Sequence, residues 1–188
     1  METKLRNLLA EDETLLWSGR PEPFETLDKT NKQSIINGTI IKIVIIVACL
    51  ILYIRAALNA VGIKPGVIIF ILALGGYAIC NPFITAKRLR EKTIYGLTDK
   101  RVLRAGTAEG GVPYERMKSV VLRMDEDGHT SLLCGPNTKN LKPRQWRSEA
   151  DAAFINGPDD PEALRVIMYA IPDDKELKAL LKKYLQID

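Results

Sequence analysis

The sequence predicts an α+β membrane protein: a two-helix transmembrane hairpin followed by a small antiparallel β-domain and a C-terminal helix. Two apolar stretches, Thr39 to Leu58 and Gly66 to Ile84, predict the hairpin. A succession of short strand-like segments after Thr93 predicts the β-domain, and a capped amphipathic tail predicts the helix.

The first apolar stretch holds the run Ile43 to Ile54, bounded by Lys42 and Arg55. A bilayer core of about 30 Å takes about 20 mostly apolar residues as a helix. The nine Ile, Val and Leu residues of the run favour insertion by about −3 to −5 kcal/mol, against about +3 for a cation at the membrane centre. Neither cation sits there. Each lies about 10 Å from the midplane, within reach of the headgroups through a long side chain.

The second stretch carries no charge before Lys87. Asn81-Pro82 near its end suits a kink in the last turn, and Gly75-Gly76 suits close approach of the neighbouring helix. The link between the spans, Asn59 to Pro65, is short enough to make an antiparallel hairpin. The competing reading places both runs in the core of a soluble domain, but the rest of the chain is too small to cover two such helices. The first run also begins too late for a signal peptide and lacks a small-residue cleavage site.

Cations near the spans set the orientation. Lys29, Lys32 and Lys42 precede the first span, and Lys87, Arg88, Arg90 and Lys92 follow the second; the connecting end has only Arg55 and Lys64. Positive charge favours the cytoplasmic side, so the expectation is a multi-pass cell-membrane protein with both termini cytoplasmic. Four regions follow: an N-terminal segment over 1–34, the hairpin and juxtamembrane turn over 35–92, a cytoplasmic domain over 93–171 and an amphipathic helix over 172–188.

The chain has 188 residues, a formal net charge of +4 and 46% hydrophobic residues. From Thr85 onward there are 19 Lys and Arg against 16 Asp and Glu, an excess too small to indicate nucleic acid. Cys49 and Cys80 fall in the spans and Cys134 in the soluble part, with no disulfide framework or metal spacing among them.

In the N-terminal segment, Leu5, Leu8 and Leu9 form a short amphipathic pattern ahead of the acidic Glu11-Asp12-Glu13. Trp17, about twenty residues before the first span, is expected to pack on the soluble domain rather than at the interface. After the spans, Thr93 to Leu97 and Arg101 to Gly106 read as strand, tight turn, strand. Ser119 to Met124 and His129 to Cys134 flank the Asp127-Gly128 turn signal. Gly135 to Arg147 reads as a loop, and Ala152 to Ile155 as a short last strand. Asp160-Pro161 caps a helix running through Ala170, and Asp173-Asp174 opens a second helix with Leu177, Leu180, Leu181, Tyr184 and Leu185 on one face. That tail helix suits either the domain or the membrane surface.

The basic loop is the candidate binding surface: Lys139, Lys142, Arg144 and Arg147 surround Trp146. Cations paired with phosphate headgroups and an inserted Trp would read anionic lipid or an acidic partner; an ordinary solvated loop with Trp146 folded into the core is the alternative. Lys87, Arg88, Arg90 and Lys92 form a second candidate set, a juxtamembrane contact for anionic lipid.

Two motifs give a resemblance. Tyr95-x-Leu97-Thr98-Asp99-Lys100-Arg101-Val102-Leu103, with a later Val112-Pro113, resembles the start of the bacterial pleckstrin-homology-like (PH-like) domain of small membrane proteins. In that family a Leu-Trp-x-Gly-Arg-Pro segment precedes two transmembrane helices, as Leu16 to Pro21 does here. The resemblance implies a small, bent antiparallel barrel closed by a C-terminal helix, a role that falls to Asp160 to Ala170. It implies binding of lipids, peptides or proteins and brings no reaction with it.

No catalytic constellation is legible. His129 is the single histidine, placed after a turn, with no Cys, Asp or Glu at a metal-ligand spacing. Asp125 to Asp127 lacks the rest of a calcium loop and reads as a solvated turn. Gly106 to Gly111 opens no helix and so cradles no phosphate. The expectation is therefore a non-enzymatic membrane-anchored PH-like module, without cofactor or metal, binding a partner protein or anionic lipid at the cytoplasmic face. Its partners would be membrane lipids and another membrane or cytoplasmic protein, with self-association compatible and no nucleic acid. The alternative is a subunit of an oligomeric channel, transporter or assembly complex, although no acidic or histidine residue lies in either span to relay ions.

Overall fold

The computed structural model describes residues 2–59, 62–106, 109–117, 119–135, 140–152 and 166–185. Two long apolar helices, α2 (Lys29–Asn59) and α3 (Pro65–Lys87), follow a short helix α1 (Glu2–Arg6) and a strand β1 (Leu15–Gly19). At about 1.5 Å per residue α2 is about 46 Å long, more than a hydrocarbon core of about 30 Å requires.

Burial shows what surrounds these helices. In the most apolar 18-residue window of α2, 0% of residues are buried, and in that of the second helix, continued to Lys92, 6% are. A soluble core helix of the same composition would be covered on most of its surface. Both helices are thus long and apolar enough to cross a membrane and leave their apolar side chains uncovered by protein.

They pack antiparallel, with Ile46 against Gly75 and Lys42 beside Ala78. A β-carbon on Gly75 would lie 2.4 Å from Ile46 Cδ1, so the missing side chain sets the helix separation. Gly76, paired with it in the sequence reading, has no atom within 4 Å of where its β-carbon would stand. One glycine of the pair makes the contact.

The strands form two antiparallel sheets. In the first, β1 lies at the edge and pairs with β2 (Ile94–Thr98), followed by β3 (Arg101–Ala105) and β4 (Gly110–Pro113). The second has β5 (Val121–Met124), β6 (Thr130–Leu133) and β7 (Val166–Ile171). The first sheet therefore takes an N-terminal segment that the sequence reading set apart from the domain. Trp17 is the reason that segment orders: it is buried, and its ring lies over Gly19, two residues on and on the same strand face.

The sheets and the helix α5 (Lys175–Leu185) share one core. Trp17, Tyr95, Leu97 and Val102 from the first sheet meet Leu132, Ile167 and Met168 from the second, and Leu177 and Leu181 from α5 cover them. Two polar links cross it. The Tyr95 hydroxyl accepts from Tyr169 N at 3.0 Å and donates to Tyr169 O at 3.2 Å, and burial pushes its pKa up to about 12. Trp17 Nε1 donates to Asp174 Oδ2 at 2.8 Å, which chiefly holds that carboxyl below its usual range. Asp174 Oδ1 also accepts Glu176 N–H at 2.9 Å, so the predicted N-cap is present and the tail helix packs on the domain.

Two expectations fail in instructive places. Val166 to Ala170, expected as the end of a capping helix from Asp160, belongs to β7. Every residue of β7 is buried, with Ile167, Met168 and Ile171 in one core and Val166, Tyr169 and Ala170 in another. A strand covered on both faces is a continuous apolar run, which periodicity does not separate from a buried helix. Residues 153–165, including most of the expected strand at Ala152 to Ile155 and the Asp160-Pro161 cap, lie outside the described residues. The loop expected up to Arg147 contains instead a 3-10 turn, Pro143–Gln145, and a helix, α4 (Trp146–Ala152).

Candidate functional site

The Leu-Thr-Asp-Lys-Arg hairpin ties the N-terminal segment to the sheet. Thr98 Oγ1 accepts Arg101 N–H at 2.9 Å and donates to Glu13 Oε1 at 2.7 Å. Arg101 clamps the same carboxylate with Nε to Oε1 at 2.8 Å and Nη2 to Oε2 at 2.7 Å. Asp99 accepts Thr14 N–H at 2.9 Å, and Lys100 pairs with Asp12. The guanidinium of Arg101 is the main cause that holds Glu13 down to about 2. The signal for this lock was present as complementary charge, Asp12-Glu13 against Lys100-Arg101.

A second set of contacts joins the domain to the start of α2. Asp127 accepts Lys29 N–H at 3.1 Å, Thr30 N–H at 2.9 Å and the Thr30 hydroxyl at 2.6 Å. Burial raises the pKa of this carboxyl, but those bonds outweigh it and hold the group low. Asp28 is the N-cap itself, accepting Asn31 N–H at 2.9 Å. Two carboxylates therefore meet the positive end of α2. The Asp125 to Asp127 turn is not simply solvated: Asp125 is buried and accepts the N–H groups of Asp127 and His129 at 3.0 and 2.9 Å. His129, read from the sequence only as following a turn, is largely covered, its Nδ1 3.5 Å from Asp125 Oδ1.

The basic loop divides. Trp146 is 1% exposed in the core with Leu133, Val166 and Ala150, so it is a packing residue and not an inserting one. Arg147 is buried as well. It pairs with Asp28, donates to Glu25 O at 2.8 Å, Thr26 O at 2.9 Å and the Tyr169 hydroxyl at 3.1 Å, and lies 4.5 Å over the Phe24 ring. Those contacts bolt α4 to the entry of α2 and leave this cation no role as a surface ligand. Lys142 and Arg144 are exposed, and Lys139 lies outside the described residues.

The juxtamembrane set divides too. Lys87 is exposed and 3.9 Å from Glu91, and Lys92 is exposed. Arg88 lies 3.7 Å from Asp151, and Arg90 donates to Phe24 O at 3.1 Å, so these two also hold the helix end to the domain.

Where α2, α3 and the Pro143–Gln145 turn converge there is a cleft of about 180 Å³. Ser34, Gly38 and Lys42 contribute from one face of α2, Asn81 from α3, and Arg144 and Ser148 from the other side. Its lining includes Lys42, Arg144 and Arg147 and no carboxylate. Two larger cavities differ: one sets Lys29, Lys32 and Arg90 against Glu25, Asp28 and Asp127, the other Lys100 and Arg101 against Asp12, Glu13, Asp99 and Glu115. The cleft is the one of the three with uncompensated positive charge.

Lys42 has a further role at its floor. Its Nζ donates to Ala78 O at 2.7 Å. Residue 82 would supply the helical N–H for that carbonyl, but it is Pro and has none. Among the described residues no group of three or more His, Cys, Asp or Glu side chains is placed to hold a metal. Compared with protein-family models, curated proteins and solved structures, the chain has no match.

Proposed function

We propose that this chain is a non-enzymatic membrane-anchored module that spans the bilayer twice and binds anionic lipid at the cytoplasmic surface through a PH-like domain. The observation that carries the reading is the joint between domain and helices. Asp127, Arg147, Arg88 and Arg90 tie the β-domain to the ends of α2 and α3, so the exposed cations Lys87, Lys92, Lys142 and Arg144 stand where those helices leave their apolar stretches.

Such cations gain about 1 kcal/mol each beside an anionic leaflet. The same charges favour the cytoplasmic side for both ends of the hairpin. The two-sheet architecture with a covering helix supports the PH-like resemblance, as does the structural use of its Leu-Thr-Asp-Lys-Arg hairpin.

The test is thermal unfolding of the full chain in neutral detergent with added phosphatidylglycerol or phosphatidylcholine. Preferential binding to the folded state raises the midpoint with the anionic lipid alone, and added salt reduces the gain. Equal midpoints with both lipids contradict the reading and direct attention to a protein partner.

A further inference from the structure

We infer that the cleft between α2, α3 and α4 is a phosphate-binding site, that its phosphate belongs to an anionic phospholipid headgroup, and that Lys42 and Arg144 are its cationic ligands. This rests on the lipid-binding reading above and assigns it a place and a chemistry.

The charge balance chooses an anion. Of the lining cations, Arg147 is neutralised by Asp28, whereas Arg144 makes no ion pair among the described residues and Lys42 meets only a carbonyl. An ammonium has three N–H donors, so Lys42 keeps two after serving Ala78 O. That fixed bond also holds the ammonium over the cleft at little further entropic cost.

The neutral lining suits the same ligand. Ser34 and Asn81 offer hydroxyl and amide donors beside the two cations, the mixture a phosphate with several acceptor oxygens takes. Gly38 lines the cleft without a side chain, and the place of its absent β-carbon is open space. A headgroup is favoured over a free ion by location. Along the cleft-facing side of α2, Ile41 and Ile45 are each more than half exposed, an apolar surface along which acyl chains can lie.

The test is native mass spectrometry of the full chain in detergent, titrated with phosphatidylglycerol, phosphatidylcholine or soluble glycerol phosphate. Wild type is expected to retain phosphatidylglycerol. Arg144→Gln and Lys42→Met are each expected to lower its apparent affinity about tenfold, as for loss of a charged hydrogen bond. Gly38→Leu, which adds a side chain to the cleft lining, is expected to do the same, and Lys175→Gln, on α5 and outside the lining, to change little. Because Lys42 also supports α3, Arg144→Gln and Gly38→Leu carry the result if Lys42→Met fails to fold.

Glycerol phosphate displacing the lipid at equal concentration would overturn the headgroup assignment. Retention unchanged by the cleft variants but lost in Lys87→Gln/Lys92→Gln would overturn the cleft and leave the surface reading intact. No preference for phosphatidylglycerol in any form would overturn both.

Discussion

Lys42 on α2 supplies the hydrogen bond that Pro82 withholds from Ala78 on α3, across 2.7 Å. A lysine inside an apolar helix and a proline near the end of another are each unfavourable alone. Together they satisfy one another, since an unpaired carbonyl at that depth has little water to turn to.

This pairing predicts a coupled effect. Lys42→Met is expected to destabilise the chain by about 1 kcal/mol, the usual size of an interhelical polar contact. In a Pro82→Ala background the new N–H at 82 closes the helical bond, so the same lysine change is expected to cost close to nothing. Thermal unfolding of the four proteins in detergent measures the coupling; equal costs in both backgrounds would contradict it.

The Ile46–Gly75 contact predicts a compensating pair. Gly75→Leu drives a side chain into Ile46 and is expected to cost about 1–3 kcal/mol. Adding Ile46→Ala on the same chain is expected to recover part of that loss. Gly76→Leu, directed into open space, is expected to cost much less.

Acid sensitivity should trace to Glu13. Its folded pKa of about 2 lies below the ordinary 4.5, so the unfolded chain binds more protons between those values. The stability that its ionised form contributes is complete above pH 4.5 and is lost as the pH falls toward 2. Denaturation midpoints followed from neutral pH to about pH 3 are expected to fall more steeply for wild type than for Glu13→Gln. Parallel curves would contradict the Arg101 clamp.

The joint between domain and membrane helix is testable at Asp127. Asp127→Ala is expected to cost about 1–2 kcal/mol as a lost helix cap. Hydrogen exchange should locate the damage, with faster exchange at Lys29 and Thr30 N–H and unchanged exchange in β2 and β3.

The sequence made the long-period features legible. Spans, the Asp-Gly hairpin, the Asp174 cap and the leucines of α5 each repeat a local rule that few residues satisfy by accident. The joint was hidden because its partners are far apart: Asp127 meets Lys29, and Arg147 meets Asp28. Charge alone does not tell a cation that faces solvent from one bolted inside, which is why Arg144 and Arg147 looked alike. β1 escaped for another reason. Its five residues end in Gly19 with two Pro close behind, and only pairing with β2 makes them a strand.

We propose that the chain crosses the membrane twice with the domain on the cytoplasmic side. That topology is tested most directly by labelling single cysteines with an impermeant maleimide in intact cells, after Cys49, Cys80 and Cys134 are changed to Ser. Ile63→Cys, in the exposed link between α2 and α3, is predicted to label in intact cells, and Lys142→Cys only after permeabilisation. Labelling of Lys142→Cys in intact cells with Ile63→Cys protected, or of neither until lysis, would contradict the account.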